Sequence, residues 1–338
     1  MSRTRAIYGC SGYRLTADEE AFFRDVSPFG FILFGRNIND PDQVRALVEQ
    51  LRCTANGEQV VILIDQEGGR VARLKPPHWR VHAPAARFAE LYAVDREAGR
   101  EAAYLNARLI AHQLFDLGIN VDCMPVLDLP IPGAHDIIGD RAYGQVAEPV
   151  IDLGGQVIEG LLDGGVLPVM KHIPGHGRAL ADSHVSLPRV AAAHTDLSGS
   201  DFLTFHRLRQ APMAMTAHVV YTQIDARRPA TTSAKVITEI IRAEIGFDGL
   251  LLSDDLSMQA LEGAIAARAA DALSAGCDVV LHCNGNMAEM RDVSGRAPAL
   301  DGEAGRRAHA ALAQLRAPSK FNAEQAYDRL GELMGVLA

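Results

Sequence analysis

Short apolar segments of strand length recur along the chain and alternate with longer segments of helical periodicity. Eight of them are apolar almost throughout: residues 5–10, 29–34, 60–65, 119–125, 166–172, 212–218, 249–255 and 278–283. An uninterrupted apolar run is typical of a parallel strand that is covered on both faces, whereas a half-exposed strand alternates polar and apolar residues. The pattern therefore predicts eight buried parallel strands.

The intervening segments carry helix signals, and the clearest of them are residues 16–26, 40–54, 95–118 and 233–246. Asp40 and Ser233 precede periodic segments and suit N-cap positions, while Gly118 and Gly246 follow helix ends. Eight rounds of strand and helix favour a (β/α)8 TIM barrel over an open doubly wound sheet. Because no linker or shift in composition divides the chain, we predict a single TIM-barrel domain over residues 1–338, with C-terminal helices after about residue 300.

Charge and composition exclude several classes of partner. The formal net charge of −9 and the lack of a dense Lys/Arg cluster argue against nucleic acid binding. The first twenty residues lack the apolar core of a signal peptide, and no apolar run approaches the roughly 18 residues of a membrane span. We therefore predict a cytoplasmic protein without a membrane partner. Five scattered cysteines without a C-x-x-C pair predict reduced core residues, not disulfides or a zinc site.

Polar residues gather at the ends of four predicted strands, and barrel enzymes place their active sites at the carboxyl ends of the strands. An isolated charge there can simply mark the point where a strand meets water. Four such ends are harder to explain in that way, so we predict a functional site formed by these residues: Asp65, Lys171, His172, His218, Asp254 and Asp255.

Two of these clusters contain carboxylates. In SDDLSM (253–258), Asp254 is nearer the strand and suits a nucleophile, a general base or a metal ligand, whereas Asp255 suits a helix start. In IDQEGGRVARL (64–74), Arg70 and Arg73 could share one face of a helical turn. Their guanidinium groups suit sugar hydroxyls, carboxylates or phosphates, although a surface ion pair is the simpler interpretation of either arginine alone.

The segment KHIPGHGRALADSHVSLP (171–188) is the richest in chemistry. His172, His176 and His184 could be imagined as zinc ligands, but the adjacent Lys171 and the lack of an H-E-x-x-H motif argue against zinc. Lys171 could instead form a Schiff base. The GHG turn lacks the G-K-[ST] of a P-loop, so it is a weak phosphate signal.

Asp182 and His184, two residues apart in the same segment, could pair through a hydrogen bond. A carboxylate on one imidazole nitrogen fixes the tautomer and raises the basicity of the other nitrogen, which prepares the ring for proton transfer. An Asx-type turn beside a solvated histidine fits the same residues. The spacing alone leaves both interpretations open.

Four motifs, IDQEGGRVARL, KHIPGHG, DSHVSLP and SDDLSM, occur in an order that resembles the family 3 glycoside hydrolases. Within that family the chain is most similar to the short, single-domain bacterial β-N-acetylhexosaminidases, from about residue 5 to about residue 290. The succession of KH-x-PGHG and DSH is the specific part of the resemblance. It implies a TIM barrel and a retaining exo-β-N-acetylglucosaminidase.

The resemblance also implies a role for individual residues. Asp254 corresponds to the nucleophile that forms a covalent glycosyl-enzyme intermediate, and His184 to the general acid/base with Asp182 as its partner. The residues implied to bind the terminal N-acetylglucosamine are Asp65, Arg73, Arg141, Lys171 and His172.

The substrate implied by the resemblance is a fragment of peptidoglycan recycling in the cytoplasm. It carries N-acetylglucosamine β-1,4-linked to 1,6-anhydro-N-acetylmuramic acid, with or without a peptide, and its hydrolysis needs no metal or organic cofactor. Three alternatives stay open from the residues: an aldolase that uses Lys171 as a Schiff base, a sugar-binding barrel without catalysis, and a phosphorylase.

Overall fold

The computed structural model describes residues 3–55, 60–183 and 186–337. Ten strands are numbered along these residues: β1 Thr4–Gly9, β2 Pro28–Leu33, β3 Val61–Ile64, β4 Val121–Asp122, β5 Leu167–Ile173, β6 Arg189–Val190, β7 Met213–Thr216, β8 Val220–Tyr221, β9 Leu250–Asp255 and β10 Val279–His282. Eight of the ten close into a parallel barrel in the order β1, β10, β9, β7, β5, β4, β3, β2. The short strands β6 and β8 pair separately, outside the barrel.

Each of the eight predicted apolar segments overlaps one barrel strand, and the predicted (β/α)8 fold in a single domain is confirmed. The helices that surround the barrel within the described residues are α1 Ala17–Val26, α2 Pro41–Cys53, α3 Ala85–Val94, α4 Arg96–Asp116, α5 Ala147–Asp163, α6 His194–Ser198, α7 Asp201–Arg207, α8 Ile265–Ala275, α9 Met287–Ser294, α10 Gly302–Leu312 and α11 Ala323–Gly335. The last two helices, α10 and α11, lie after residue 300.

The predicted helix ends have the expected chemistry. Asp40 accepts a hydrogen bond from the Gln43 amide at 2.9 Å and caps α2, and Ser233 Oγ accepts one from the Val236 amide at 3.1 Å. Gly118 follows α4 with a φ of +76°, a conformation that glycine adopts without strain. The segment after Ser233 differs in detail from the predicted α-helix, because Val236–Glu244 forms the wider π-type turns, which are rare at this length.

The strands are buried on both faces, as their uninterrupted apolar character predicts. Residues such as Ile7, Leu63 and Val169 fill the barrel interior, while their neighbours, such as Ile62 and Met170, pack outward against the helices. Of the five free cysteines, Cys10, Cys123, Cys277 and Cys283 are buried as expected, whereas Cys53 is exposed on α2. Within the described residues, no helix combines the length and the apolar character needed to cross a bilayer.

Candidate active site

A cavity of about 330 Å³ opens at the carboxyl ends of the barrel strands, where the fold predicts an active site. This volume lies at the small end of the range for pockets that enclose small molecules. Six of the predicted site residues line it: Asp65, Arg73, Arg141, Lys171, His172 and Asp254. The seventh, Asp182, belongs to the loop after β5, and the eighth, His184, lies outside the described residues.

Lys171 lies at the centre of a buried set of ion pairs. Its ammonium nitrogen is 2.8 Å from Asp65 Oδ1 and 2.7 Å from Glu67 Oε1. On one side, Asp65 Oδ2 is 3.1 Å from Arg73 Nη2. On the other side, Arg141 donates from Nε and Nη2 to the two oxygens of Glu67, both at 2.8 Å. Arg73, Asp65, Lys171, Glu67 and Arg141 therefore form a chain of alternating charges, which we call the ionic chain.

The ionic chain fixes the protonation states of its members. Burial alone would lower the pKa of Lys171, but Asp65 and Glu67 outweigh it and hold the pKa above its ordinary value. Burial raises the pKa of Glu67, yet Arg141 and Lys171 bring it down to about 2. Lys171 is therefore an ammonium ion across the physiological range. An imine-forming lysine must first lose its proton, so this environment argues against the Schiff-base alternative.

His172 is held by a carboxylate that the sequence analysis did not single out. Its Nδ1 is 2.7 Å from Asp128 Oδ2, and its own amide donates to Asp128 Oδ1 at 3.2 Å. Asp128 is fully buried and also accepts a hydrogen bond from the His176 amide. Burial raises the pKa of Asp128, but His172 outweighs that effect and holds the pKa below its ordinary value. An ionised carboxylate only accepts, so Nδ1 of His172 carries the proton and donates to it. This pair fixes the ring in the wall of the cavity.

The two aspartates at the end of β9 have different environments. The expectation of a helix start at Asp255 is wrong, because turns follow this residue and α8 begins only at Ile265. Asp254 lines the cavity, and its Oδ1 accepts a hydrogen bond from the Asp255 amide at 2.8 Å. Burial raises the pKa of Asp254, but His218, His172 and this amide outweigh it, so the pKa lies below its ordinary value. Asp255 instead accepts from the amides of Ser257 at 3.0 Å and Cys283 at 3.1 Å. Of these two neighbours, Asp254 is thus an ionised carboxylate to which no side-chain cation of the described residues is bound, while Asp255 holds the turn.

His218, two residues after β7, makes contact with the end of β9. It is fully buried, with Nε2 3.0 Å from the Asp255 carbonyl oxygen and Nδ1 2.6 Å from Thr231 Oγ1. Burial lowers its pKa. A neutral ring that donates from Nε2 and accepts at Nδ1 satisfies both contacts. His218 therefore positions the strand end that carries Asp254.

The loop after β5 is anchored at several points. Gly177 lies so close to Leu129 that an added Cβ would be 2.1 Å from the Leu129 carbonyl oxygen, so only glycine fits. Arg178 Nε donates to Asp201 Oδ2 at 2.7 Å. The amide of His176 donates to Asp128 Oδ1 at 2.6 Å, and its ring Nε2 is 3.1 Å from Ser183 Oγ. Across residues 3–55, 60–183 and 186–337, no three His, Cys, Asp or Glu side chains form a metal-binding group.

The predicted relation between Arg70 and Arg73 is wrong. The segment folds back on itself through a bridge between Gly68 and Val71 instead of forming a helical turn. Arg73 therefore points to Asp65, whereas Arg70 binds Asp140 at 2.9 Å. Arg70 is not part of the ionic chain. Its ion pairs with Asp136 and Asp140 connect the loop after β3 to the loop before Arg141.

The fold and the cavity define a class of protein. A closed (β/α)8 barrel whose mouth combines ionised aspartates, Asp65 and Asp254, with buried cations suited to sugar hydroxyls is compatible with a glycosidase. Residues 12–309 match the model of the glycosyl hydrolase family 3 N-terminal domain, and the chain belongs to this family. The predicted family and enzyme class are confirmed.

Curated relatives and solved structures agree with this assignment. The chain is 39% identical to a β-hexosaminidase of Alkalilimnicola ehrlichii, covering 82% of this chain and 80% of the relative. A β-hexosaminidase of Pseudomonas aeruginosa is 38% identical, over 81% of this chain and 80% of the relative. NagZ from Neisseria gonorrhoeae, solved with N-trifluoroacetyl-D-glucosamine, superposes with a TM-score of 0.87 at 29% identity, covering 99% of this chain and 98% of the other.

Proposed function

We propose that the protein is a retaining exo-β-N-acetylglucosaminidase. The observation that carries the proposal is the pairing of one ionised carboxylate, Asp254, with the ionic chain in a cavity of about 330 Å³. Relatives named β-hexosaminidase, at 38–39% identity, and the NagZ complex with an N-acetylglucosamine derivative support this choice of sugar.

In the proposed first step, Asp254 attacks the anomeric carbon while His184 donates a proton to the departing oxygen. The glycosidic bond breaks, and a glycosyl ester of Asp254 forms. In the second step His184 accepts a proton from water, the water oxygen attacks the anomeric carbon and Asp254 leaves as a carboxylate. Two displacements at one carbon retain its configuration.

The use of histidine as the acid and base fits the charges of the site. Many retaining enzymes place a second carboxyl group about 5 to 5.5 Å from the nucleophile. A neutral imidazole avoids repulsion from ionised Asp254, and its ordinary pKa of about 6.5 lies near operating pH. Pairing with Asp182 would set the tautomer of His184 and stabilise its cation.

The five predicted binding residues would recognise the non-reducing terminal sugar. Lys171, Arg73 and Arg141 are donors, Asp65 is an acceptor, and each is already oriented by a charged neighbour before the sugar arrives. His172 is oriented in the same way by Asp128. Such preorganisation lowers the cost of binding, because few side chains have to be immobilised.

The proposed leaving group is 1,6-anhydro-N-acetylmuramic acid, with or without its peptide, released in the cytoplasmic recycling of peptidoglycan. This part of the proposal rests on the family resemblance. It involves neither a nucleic acid nor a membrane as partner, and no cofactor takes part in the chemistry.

The experiment that tests the function compares an aryl β-N-acetylglucosaminide with the matching aryl β-glucoside, followed by NMR of the first-formed anomer. We expect hydrolysis of the first substrate, with the β-anomer formed first, and much slower hydrolysis of the second. A protein that binds N-acetylglucosamine without cleaving either substrate would be a sugar-binding barrel. A sugar 1-phosphate formed in phosphate buffer would instead identify a phosphorylase.

Replacing His184 by alanine should affect substrates according to their leaving groups. A sugar leaving group needs protonation, so hydrolysis of the natural disaccharide should fall by about 10² to 10⁴-fold. A dinitrophenyl leaving group departs without a proton, so the rate of its release in the first turnover should change far less. Steady-state and single-turnover kinetics on both substrates provide the measurement, and an equal loss on both would contradict the acid/base role.

A further inference from the structure

Ser183 lies in the loop after β5, between Asp182 and His184 in sequence, and it connects this loop to two other parts of the site. Its side-chain oxygen is 3.1 Å from His176 Nε2, and its carbonyl oxygen accepts a hydrogen bond from the Ala260 amide at 3.2 Å. Ser183 is only 3% exposed and lines the cavity. Two independent contacts therefore hold this residue where the loop meets the cavity.

The His176 end of the first contact is rigid. Its amide is bound to the buried carboxylate of Asp128 at 2.6 Å, and its ring packs at 5.6 Å, centroid to centroid, from the ring of His172. Burial first, and then His172, lowers the pKa of His176 to about 4. A neutral ring keeps one acceptor nitrogen, so Nε2 can accept a hydrogen bond from the Ser183 hydroxyl group. The hydroxyl is thereby tied to the sugar-binding end of β5.

The Ala260 end of the second contact belongs to the segment that follows the proposed nucleophile. This segment is fixed by hydrogen bonds from the Leu256 amide to the Leu281 carbonyl at 2.9 Å and from the Met258 amide to the Asp255 carbonyl at 3.2 Å. Ala260 itself is buried. The carbonyl of Ser183 is thereby tied to the strand end that carries Asp254.

We propose that Ser183 is a positioning residue for proton transfer. It holds the loop that contains the acid/base pair in a fixed position relative to β5 and to the segment after β9. The inference rests on the proposed function. The hydroxyl need not touch the reacting atoms: by fixing the backbone next to His184, it restricts the positions from which the proton is delivered. Loss of this restraint would slow the step in which the leaving group is protonated, since displacement of a catalytic group by about 1 Å can lower the rate about a hundredfold.

The test uses Ser183→Ala and two substrates that differ only in the acidity of the leaving group. We expect kcat/KM for the disaccharide to fall by about 10 to 100-fold, and the first-turnover release of a dinitrophenyl group to change by less than about threefold. Inhibition by N-acetylglucosamine should stay close to that of the wild type, because the ionic chain is intact. Ser186→Ala is the matched control, since Ser186 is an exposed serine of the same loop, and it should behave as the wild type.

A double-mutant cycle locates the effect in the contact with His176. His176→Asn removes the ring, and the loss in Ser183→Ala/His176→Asn should be close to that of the larger single variant, since residues that act through one contact are not additive. Equal losses on both substrates for Ser183→Ala, additive losses in the cycle, or no loss at all would each overturn the proposal. Should Ser183→Ala fail to fold, His176→Asn alone provides the test. Its loss of disaccharide hydrolysis should exceed its loss of dinitrophenyl release, and equal losses would overturn the proposal.

Failure of this inference and failure of the proposed function give different results. A wild-type protein that cleaves neither substrate contradicts the proposed function. A wild-type protein that cleaves both, together with a Ser183→Ala variant that keeps the wild-type ratio of the two rates, contradicts the role of Ser183 alone.

Discussion

Replacing Asp254 by alanine should lower the turnover of every β-N-acetylglucosaminide by on the order of 10⁶-fold, the scale of losing a covalent nucleophile in other enzymes. The reason is specific to the geometry. Asp254 is an ionised carboxylate of the cavity wall. Asp65 is bound by Lys171 and Arg73, and Asp255 is engaged by two backbone amides in the turn. Asp255 therefore cannot substitute for the missing group without breaking that turn.

The measurement is single-turnover release of a dinitrophenyl group by Asp254→Ala, with and without azide. Azide can enter the space that the carboxylate leaves and attack the same face of the sugar, so the product should be the α-glycosyl azide. His184→Ala is the comparison, because azide would there attack the glycosyl ester and give the β-azide. Appreciable hydrolysis by Asp254→Ala without azide would contradict the assignment of the nucleophile.

Replacing Glu67 by glutamine should have the largest effect on stability among the residues around the cavity, with a loss of about 3 kcal/mol in the free energy of unfolding. Glu67 is 7% exposed and is the partner shared by Lys171 and Arg141. A neutral side chain leaves Arg141 buried without its counter-charge and Lys171 with Asp65 alone. Binding of the sugar should weaken as well, since both cations would lose their fixed orientation.

Chemical denaturation measures this effect, and Glu324→Gln is the control. Glu324 is an exposed glutamate 3.8 Å from Arg80, and such surface pairs contribute about 0 to 1 kcal/mol. The sign of the pH dependence follows from the lowered pKa of Glu67. Its contribution is complete above the ordinary value of 4.5 and is lost as the pH falls toward about 2. A difference between wild type and Glu67→Gln that grows on acidification would contradict the ion-pair explanation.

The barrel and the strand ends could be predicted because each depends on residues close together in sequence. An apolar run identifies a buried strand by itself, and Asp65, Lys171 and Asp254 each follow or end such a run. The eight runs then predict one common mouth, because the carboxyl ends of parallel strands meet on one face of the barrel.

Glu67 and Asp128 could not be found in this way, because their roles depend on partners that are distant in sequence. Glu67 binds Arg141, 74 residues further along, and Asp128 binds His172, 44 residues further along. Both pairings exist because β3, β4 and β5 are neighbours in the barrel. A lone aspartate in the apolar run VLDLP was the available signal for Asp128, since a carboxylate is seldom buried unless it is paired.

The ionic chain has a consequence for the second half of the proposed reaction. Its three cations exceed its two carboxylates by one charge, and ionised Asp254 in the same cavity supplies one compensating negative charge. Formation of the glycosyl ester would remove the negative charge of Asp254 and leave the excess positive charge of the ionic chain without that compensation. A positive charge nearby makes the ester carboxylate a better leaving group, so the residues proposed to bind the sugar would also favour hydrolysis of the ester.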